Sequence, residues 1–340
     1  MKRLLPILVV ALAACLKVPD LKPPSLIYFN TDTLWLDTIF TGLSSSTYYL
    51  KLYNPTKDRI IIPAILLSNS DKSPFRLNVN GKGGRAVRNV IIEPNDSIFI
   101  FVEATINPTV ENLPFVVYDR LVAIDQKGEE LASVVLAAYG QNAHYYRNIV
   151  ICDMTWTSDK PHVLLGSVFV DTNCVLTIKE GARIHLDRNS ALFIAGTLIV
   201  DGSFEKPVVF QQSRLEDFFK DIPGQWQAIV ILPVSQNNVI RNAIIKNGVA
   251  GLIVDSTGKD APAVRLYQVH IDNMLGYGIL AGNSYIYGEN VIISRAGERL
   301  IAAFGAKLEF FHATVAGYSG EYLRRNKPGV LLANYYGTTE

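Results

Sequence analysis

The chain is poor in the residues that most often carry chemistry. Its 340 residues include 3 cysteines, 3 methionines, 3 tryptophans and 5 histidines. The histidines, His144, His162, His185, His270 and His312, fall at none of the spacings that gather imidazoles round a metal. A glycine-rich phosphate loop, a nucleophile elbow and a cysteine–histidine pair are all missing. Neither a cofactor nor a metal is therefore expected. Charge of one sign is missing too. The 32 lysines and arginines face 31 aspartates and glutamates without any basic block, which argues against a nucleic-acid partner. Past the first dozen residues no apolar run approaches the length of a membrane-spanning helix.

What is present starts at the N-terminus. Lys2 and Arg3 precede an apolar segment, Leu4 to Leu12, broken only by Pro6. Leu12-Ala13-Ala14-Cys15 then places small residues before a cysteine. The segment is too short for a permanent span and has the layout of a secretory signal. It resembles the signal peptides of bacterial lipoproteins, the alternative being an ordinary signal with a chance cysteine. The resemblance implies cleavage before Cys15 and lipidation of its thiol and new amino group. Acyl chains burying about 0.8 kcal/mol per methylene would then hold the protein on a membrane. Loss of residues 1–14 leaves 30 basic against 31 acidic residues. Residues 15–30, with Pro19, Pro23 and Pro24, read as the lipidated cysteine and an extended tether. Lipoproteins of the Bacteroidetes type that reach the cell surface carry an acidic run after the cysteine. Here Asp20 stands alone, so an outer-membrane location is expected with the periplasmic or surface side left open. Export permits a disulfide between Cys152 and Cys174, although their apolar, strand-like surroundings favour two buried thiols.

Residues 31–141 read as short strands broken by turns. Phe75-Arg76-Leu77-Asn78-Val79 alternates with period two and meets Asn80-Gly81. The run Ile60 to Leu67 contains Pro63, which suggests an edge strand or a bulge. Gln126-Lys127-Gly128 lies between two apolar runs and marks a hairpin. Many short strands without helical periodicity predict a β-sandwich. Tyr49-Leu50-Lys51-Leu52-Tyr53-Asn54 and Ile91-Ile92-Glu93-Pro94-Asn95-Asp96-Ser97-Ile98-Phe99-Ile100 resemble immunoglobulin-like domains of the abnormal-spindle/hydin kind.

Residues 142–340 repeat. Ala243-Ile244-Ile245-Lys246-Asn247 matches Val269-His270-Ile271-Asp272-Asn273, then Val291-Ile292-Ile293-Ser294-Arg295, then Ala313-Thr314-Val315-Ala316-Gly317. The β-rich period near 22 residues predicts a parallel solenoid in which like positions stack. Ala243, Val269, Val291 and Ala313 should point inward, as should Ile245, Ile271, Ile293 and Val315. Asp272 should face outward, so its replacement should cost little. Asn242, Gln268, Asn290 and His312 form a candidate polar ladder at a corner, and Gly251 and Gly278 candidate tight turns. Val175-Leu176-Thr177-Ile178-Lys179-Glu180-Gly181, Gly196 to Gly202 with Glu205 to Phe210, and Asp221 to Trp226 resemble the right-handed parallel β-helix repeat lipoproteins of Bacteroidetes. The fold class expected is thus all-β, an Ig-like β-sandwich followed by a right-handed parallel β-helix. Its far end is either capped by Gly329 to Leu332 and Tyr335-Tyr336 or shortened.

Such helices include polysaccharide lyases and hydrolases, so an enzyme must be weighed. A glycosidase needs two carboxylates about 5–10 Å apart. The positions after the inward column are Lys246, Asp272, Ser294 and Ala316, one acid in four. Asp201, Glu205, Asp217 and Asp221 lie near Arg214 and Lys220, but Asp217 and Asp221 fall in a loop-like insertion, Arg214 to Pro223, and an exposed charged loop explains the group more simply. No catalytic residue is assigned and an enzyme is not expected. The alternative to catalysis is binding or assembly. Outward rows of a parallel sheet suit a polysaccharide or an envelope protein, with exposed aromatics as anchors. Tyr267, Tyr277, Tyr285 and Tyr287 are the candidate surface-binding residues, with Tyr318 and Tyr322 nearby, while Trp226 is expected to be packed.

Overall fold

The computed structural model describes residues 26–110, 112–318 and 320–335. Cys15, its preceding box, the tether up to residue 25 and Tyr336 lie outside the described residues. The protein is all-β. Among the described residues the helical pieces are single turns, Ser70–Lys72 and Asp217–Phe219, and no helix is long and apolar enough to cross a membrane. Two compact units share the chain: residues 26–35, 46–104 and 118–137 in one, residues 36–45, 105–117 and 138–335 in the other.

The strands before residue 142 form two five-stranded sheets, antiparallel except that Thr33–Phe40 runs parallel to Glu130–Gln141, with Val135 N donating to Asp32 O and Thr41 N to Gln141 O. One runs in the order Tyr28–Phe29, Tyr48–Asn54, Asp96–Ala104, Phe75–Val79, Lys82–Gly84. The other runs Thr33–Phe40, Glu130–Gln141, Phe115–Ile124, Ile60–Leu67, Ala86–Ile92. Period-two patterning sets the buried faces: Leu50, Leu52, Phe75, Leu77, Val79, Ile100 and Val102 are buried while their neighbours are not. Asn80 and Gly81 both take positive φ and join Val79 to Lys82, the two-residue hairpin that Asn-Gly favours. Pro63 is not on an edge, since Ile60–Leu67 has a neighbour on each side. Its pairing with Phe115–Ile124 starts only at Ala64, and Asn89 opposite it turns to positive φ. The missing N–H thus falls where the ladder is already interrupted.

From His144 onward every pairing is parallel. Leu176 pairs with Leu198, Ile245 with Ile271, Ile271 with Ile293 and Ile293 with Val315, the offsets of the sequence repeat. Each residue therefore meets its own counterpart. Ile178, Val200, Ile240 and Leu266 form one fully buried column, and Ile245, Ile271 and Ile293 another. Close-packed aliphatic columns of this kind resist both truncation and enlargement.

Several expectations need correcting. Cys152 and Cys174 are joined as a disulfide, with their Cα atoms 4.9 Å apart. Their separation of 22 residues is one repeat, so parallel stacking itself brings them to bonding distance. Val315 keeps the register but is exposed, because its strand, Thr314–Ala316, is the last described in its column, and Ala313, just before that strand, is exposed as well. Gly251 and Gly278 lie inside strands Ala250–Gly258 and Tyr277–Glu289, not at turns. A Cβ on Gly251 would meet Ile271 at 2.5 Å, and one on Gly278 would meet Ile293 at the same distance, so close approach requires both glycines. Asp272 is only 9% exposed and receives hydrogen bonds from Ser294 Oγ at 2.6 Å and Arg295 Nε at 2.9 Å, with a second contact from the Arg295 guanidinium. Burial pushes its carboxyl up, but those donors outweigh it and hold it below the ordinary value.

The corner column Asn242, Gln268, Asn290 and His312 has positive φ throughout. The amide ladder lies on the other side of the motif. Asn273 Nδ2 donates to Asn247 Oδ1 at 2.7 Å, and Asn247 Nδ2 donates to Gln212 Oε1 at 2.7 Å. The same two amides hold the carbonyls of Lys220 and Asp221, clipping the loop from Arg214 to Pro223 onto the parallel unit.

Candidate binding face

One outward face of the parallel unit gathers most of the residues with binding chemistry. It is built by residues 197–201, 238–241, 264–267, 285–289 and 307–311, each in register with the next. Alternation sends every second residue outward. One outward column reads Ile199, Val239, Arg265, Tyr287, Glu309, and its neighbour reads Asp201, Arg241, Tyr267, Glu289, Phe311. The face is aliphatic at its start and becomes aromatic and charged over its last four strands, a rise of roughly 4.8 Å per strand.

Three rings descend this face in a zigzag between the two columns. Tyr267 and Tyr287 have centroids 6.2 Å apart, and Tyr287 and Phe311 are 5.7 Å apart. The Arg241 guanidinium lies 5.1 Å from the Tyr267 centroid and covers its upper end. Phe311 is the most open of the three, and Tyr267 and Tyr287 are half-buried. The staircase follows from register. Neighbours one strand on and two residues along sit diagonally, within reach of aromatic side chains.

The polar groups between the rings are mostly engaged. Tyr287 Oη donates to Glu289, which pushes the phenol up to about 12. Tyr285 Oη donates to Glu309, and Lys307 Nζ lies 3.0 Å from the same carboxylate and 4.0 Å from the Tyr285 centroid. These contacts hold Glu309 below its ordinary value. Lys179 pairs with Asp201 at 3.3 Å. The arrangement offers ring faces and guanidinium donors to an elongated ligand. It also places Glu289 and Glu309 on adjacent strands, a carboxylate pair that scanning the column after Ile271 could not find. Following the tyrosine-rich strands with the same register arithmetic would have shown it. Glu309, held ionised by Tyr285 and Lys307, is a poor proton donor.

Of the four candidate tyrosines, the structure brings Tyr267, Tyr285 and Tyr287 together. Tyr285 is only 7% exposed, a supporting residue rather than an open platform. Tyr277 pairs with Ala250 and Arg299 on another part of the stack. Tyr318 and Tyr322 are exposed, and Trp226 is fully buried with Nε1 donating to Lys246 O at 2.9 Å. Phe311 and Arg241 were not singled out from sequence, because neither belongs to the tyrosine cluster.

Two of the histidines, His144 and His162, stack with centroids 5.0 Å apart, and His185 lies on the strand paired with that of His162. His144 pairs with Asp159 at 2.9 Å, and His270 contacts Ser294 Oγ at 3.0 Å. His162 lies between Tyr146 Oη at 3.1 Å and Thr157 O at 2.9 Å. His185 Nδ1 donates to Gln212 O at 2.7 Å. Burial lowers both His162 and His185 to about 4. Among the described residues the one cluster with the spacing of metal ligands is Cys152, Asp153 and Cys174. Its sulfurs are bonded to each other and offer no thiolate.

No family model matches the chain, and no curated protein matches it. Among solved structures it is similar to the ASH/PapD-like domain of human CEP192 (PapD-like domain 7), at 15% identity, over 42% of this chain and 97% of that one, with a TM-score of 0.23.

Proposed function

We propose that the protein is a lipid-anchored envelope lipoprotein that binds an extended polysaccharide along the Arg241–Tyr267–Tyr287–Phe311 face without catalysing its breakdown. In this reading the later unit is a right-handed parallel β-helix of the kind found in Bacteroidetes lipoproteins, and the antiparallel sheets are an Ig-like domain of the abnormal-spindle/hydin kind. Cys15 carries the lipid, and the outer membrane is the compartment. The observation that carries the function is the aromatic staircase with its guanidinium cover. Pyranose rings present flat C–H faces that rest on aromatic rings, and arginines hydrogen-bond hydroxyls and carboxylates between them. The disulfide is consistent with an oxidising compartment.

A polysaccharide-active enzyme is the second reading, favoured by the Glu289 and Glu309 pair. Against it, a retaining or inverting mechanism needs one carboxyl kept protonated, and Glu309 is shifted the other way.

Affinity electrophoresis through gels containing polygalacturonate, alginate or a glucan tests the binding claim. The chain from residue 16 should be retarded by at least one of them, and Tyr267→Ala with Tyr287→Ala should run freely. Equal mobility of both proteins in every gel removes the reading. Appearance of new reducing ends or unsaturated uronates, lost in Glu289→Gln, would support the enzyme instead.

A further inference from the structure

The outer face of the sheet Tyr28–Phe29, Tyr48–Asn54, Asp96–Ala104, Phe75–Val79, Lys82–Gly84 carries an aromatic patch that the saccharide reading does not use. Tyr28, Tyr49, Phe99 and Phe101 are each more than two-fifths exposed. Register makes them contiguous. Tyr28 pairs with Tyr53, Tyr49 with Phe101, and Lys51 with Phe99. Tyr28 and Tyr53 stack at 5.1 Å, Tyr49 and Phe99 meet at 5.6 Å, and Phe99 and Phe101 at 6.2 Å. Lys51 Nζ stands 4.7 Å from the Phe99 centroid. The alternate residues of the same strands, Leu50, Leu52, Ile100 and Val102, are fully buried on the opposite face, so the rings form an apolar patch on the face that alternation leaves to solvent. A soluble antiparallel sheet normally keeps one face polar, and a contiguous exposed patch marks an interaction surface.

Composition and chain length choose the occupant. Tyrosine, phenylalanine and a lysine are the residues that settle at a bilayer interface, rings at the headgroup boundary and ammonium in the phosphate layer. The nearest carboxylate along the central strand is Glu103, which accepts a hydrogen bond from Thr47 Oγ1 and pairs in register with Arg76. Between Cys15 and the first described residue lie residues 16–25, a stretch that reaches at most about 35 Å when fully extended. That stretch enters the fold at Leu26, itself exposed, two residues before Tyr28 on the edge of this very sheet.

We propose that this aromatic face is a membrane-docking surface that lies on the lipid headgroup region. The proposal rests on the lipid-anchor reading, since the short tether is what keeps the face within reach of a bilayer. In the anchored protein it would lay the sheet on the membrane and not leave it swinging from the acyl chains.

The test separates docking from anchoring. The chain from residue 16, which lacks Cys15 and any lipid, is sedimented with vesicles of phosphatidylethanolamine and phosphatidylglycerol. Weak binding is expected without the anchor, and Tyr49→Ser with Phe99→Ser and Phe101→Ser should reduce the bound fraction by about ten-fold or more. Tyr118→Ser, a still more exposed ring on another strand, should leave it unchanged. Hydrogen exchange on the unaltered chain provides a second readout: vesicles should slow exchange in Tyr48–Asn54 and Asp96–Ala104. No sedimentation, equal sedimentation of the triple variant, or protection confined to other strands overturns the proposal. Self-association through these strands without vesicle binding assigns the face to a second copy and overturns it as well. Whether Cys15 is acylated is read separately, by incorporation of labelled palmitate into the full chain and its loss in Cys15→Ala.

Discussion

The two kinds of sheet in this protein solve the same packing problem with different neighbours. In the antiparallel sheets each residue faces an unrelated partner: Leu52 pairs with Ile98, Val79 with Lys82, Ile65 with Ala123. In the parallel unit each residue faces its own counterpart one repeat away, as Ile245, Ile271 and Ile293 do. The first arrangement needs turns with specific chemistry, such as Asn80-Gly81. The second needs residues that tolerate being stacked on themselves. Aliphatic columns satisfy this by interdigitation, amides such as Asn247 and Asn273 by donating along the stack, and cysteines by bonding. The difference also sorts the titratable and redox-active residues. All five histidines and both described cysteines lie in the parallel part, after residue 143.

The sharpest way to break the comparison is to truncate a column at two heights. Ile271→Ala removes a fully buried side chain between two isoleucines and should cost about 2–5 kcal/mol in a denaturant titration. Val315→Ala, in the same column but exposed at its end, should cost well under 1 kcal/mol, within the range of about ±0.5 typical of surface changes. Equal costs would mean that stacking is not what stabilises the column.

The disulfide comes next. Cys152→Ser with Cys174→Ser opens a cross-link spanning one repeat and should lower unfolding stability by roughly 3 kcal/mol. Thiol titration of the denatured, unreduced protein should find neither cysteine free. A full complement of reactive thiols would restore the buried-thiol expectation.

Acid should separate the two sheet types. His162 and His185 titrate near 4 in the fold and about 6.5 when unfolded. Because the folded values are depressed, their neutral forms support the fold above pH 6.5. That support is lost as pH falls from about 6.5 to 4, by up to roughly 3 kcal/mol for buried His185. Amide protection factors, taken against the intrinsic exchange rate at each pH, should therefore fall in His162–Val170 and Arg183–Leu186 over that window. His185→Asn should flatten the response. Unchanged protection factors between pH 7 and 4.5 would contradict the burial of these imidazoles.

The smallest of these effects concerns Asp272. Asp272→Ala removes the acceptor for Ser294 and Arg295 and should cost about 1–3 kcal/mol, less than Ile271→Ala because the Arg295 side chain keeps access to water. Asp272→Asn, which keeps one acceptor, should recover part of the loss. A cost below the error of the titration would show the side chain to be free.

Legibility in the sequence followed the same division. The 22-residue register and the inward columns up to Val291 and Ile293 could be read from repeats, because stacking makes spacing equal to geometry, and the burial of Trp226 from the apolar run beside it. Antiparallel strands were visible through alternation and turn residues, yet which strand neighbours which was not, and Pro63 misled because ladder gaps leave no mark in composition. Period two gave the direction of Asp272, but not the arginine of the next repeat that folds over it. The apolar surroundings of Cys152 and Cys174 point to free thiols, whereas their spacing of one repeat places them within bonding distance. At the candidate face the tyrosines stand out by number, while Arg241, Glu289, Phe311 and Glu309 join them through the repeat offsets alone.

The most direct test of the proposed function is calorimetric titration with oligosaccharides of increasing length from whichever polymer retards the protein. Three steps between the four decorated strands span about 14 Å. Affinity should rise with each added sugar until the ligand covers that span, then level off, and Tyr287→Ala should flatten the rise. Affinity independent of length, or undiminished in Tyr287→Ala, would contradict a ligand lying along the Arg241–Phe311 face.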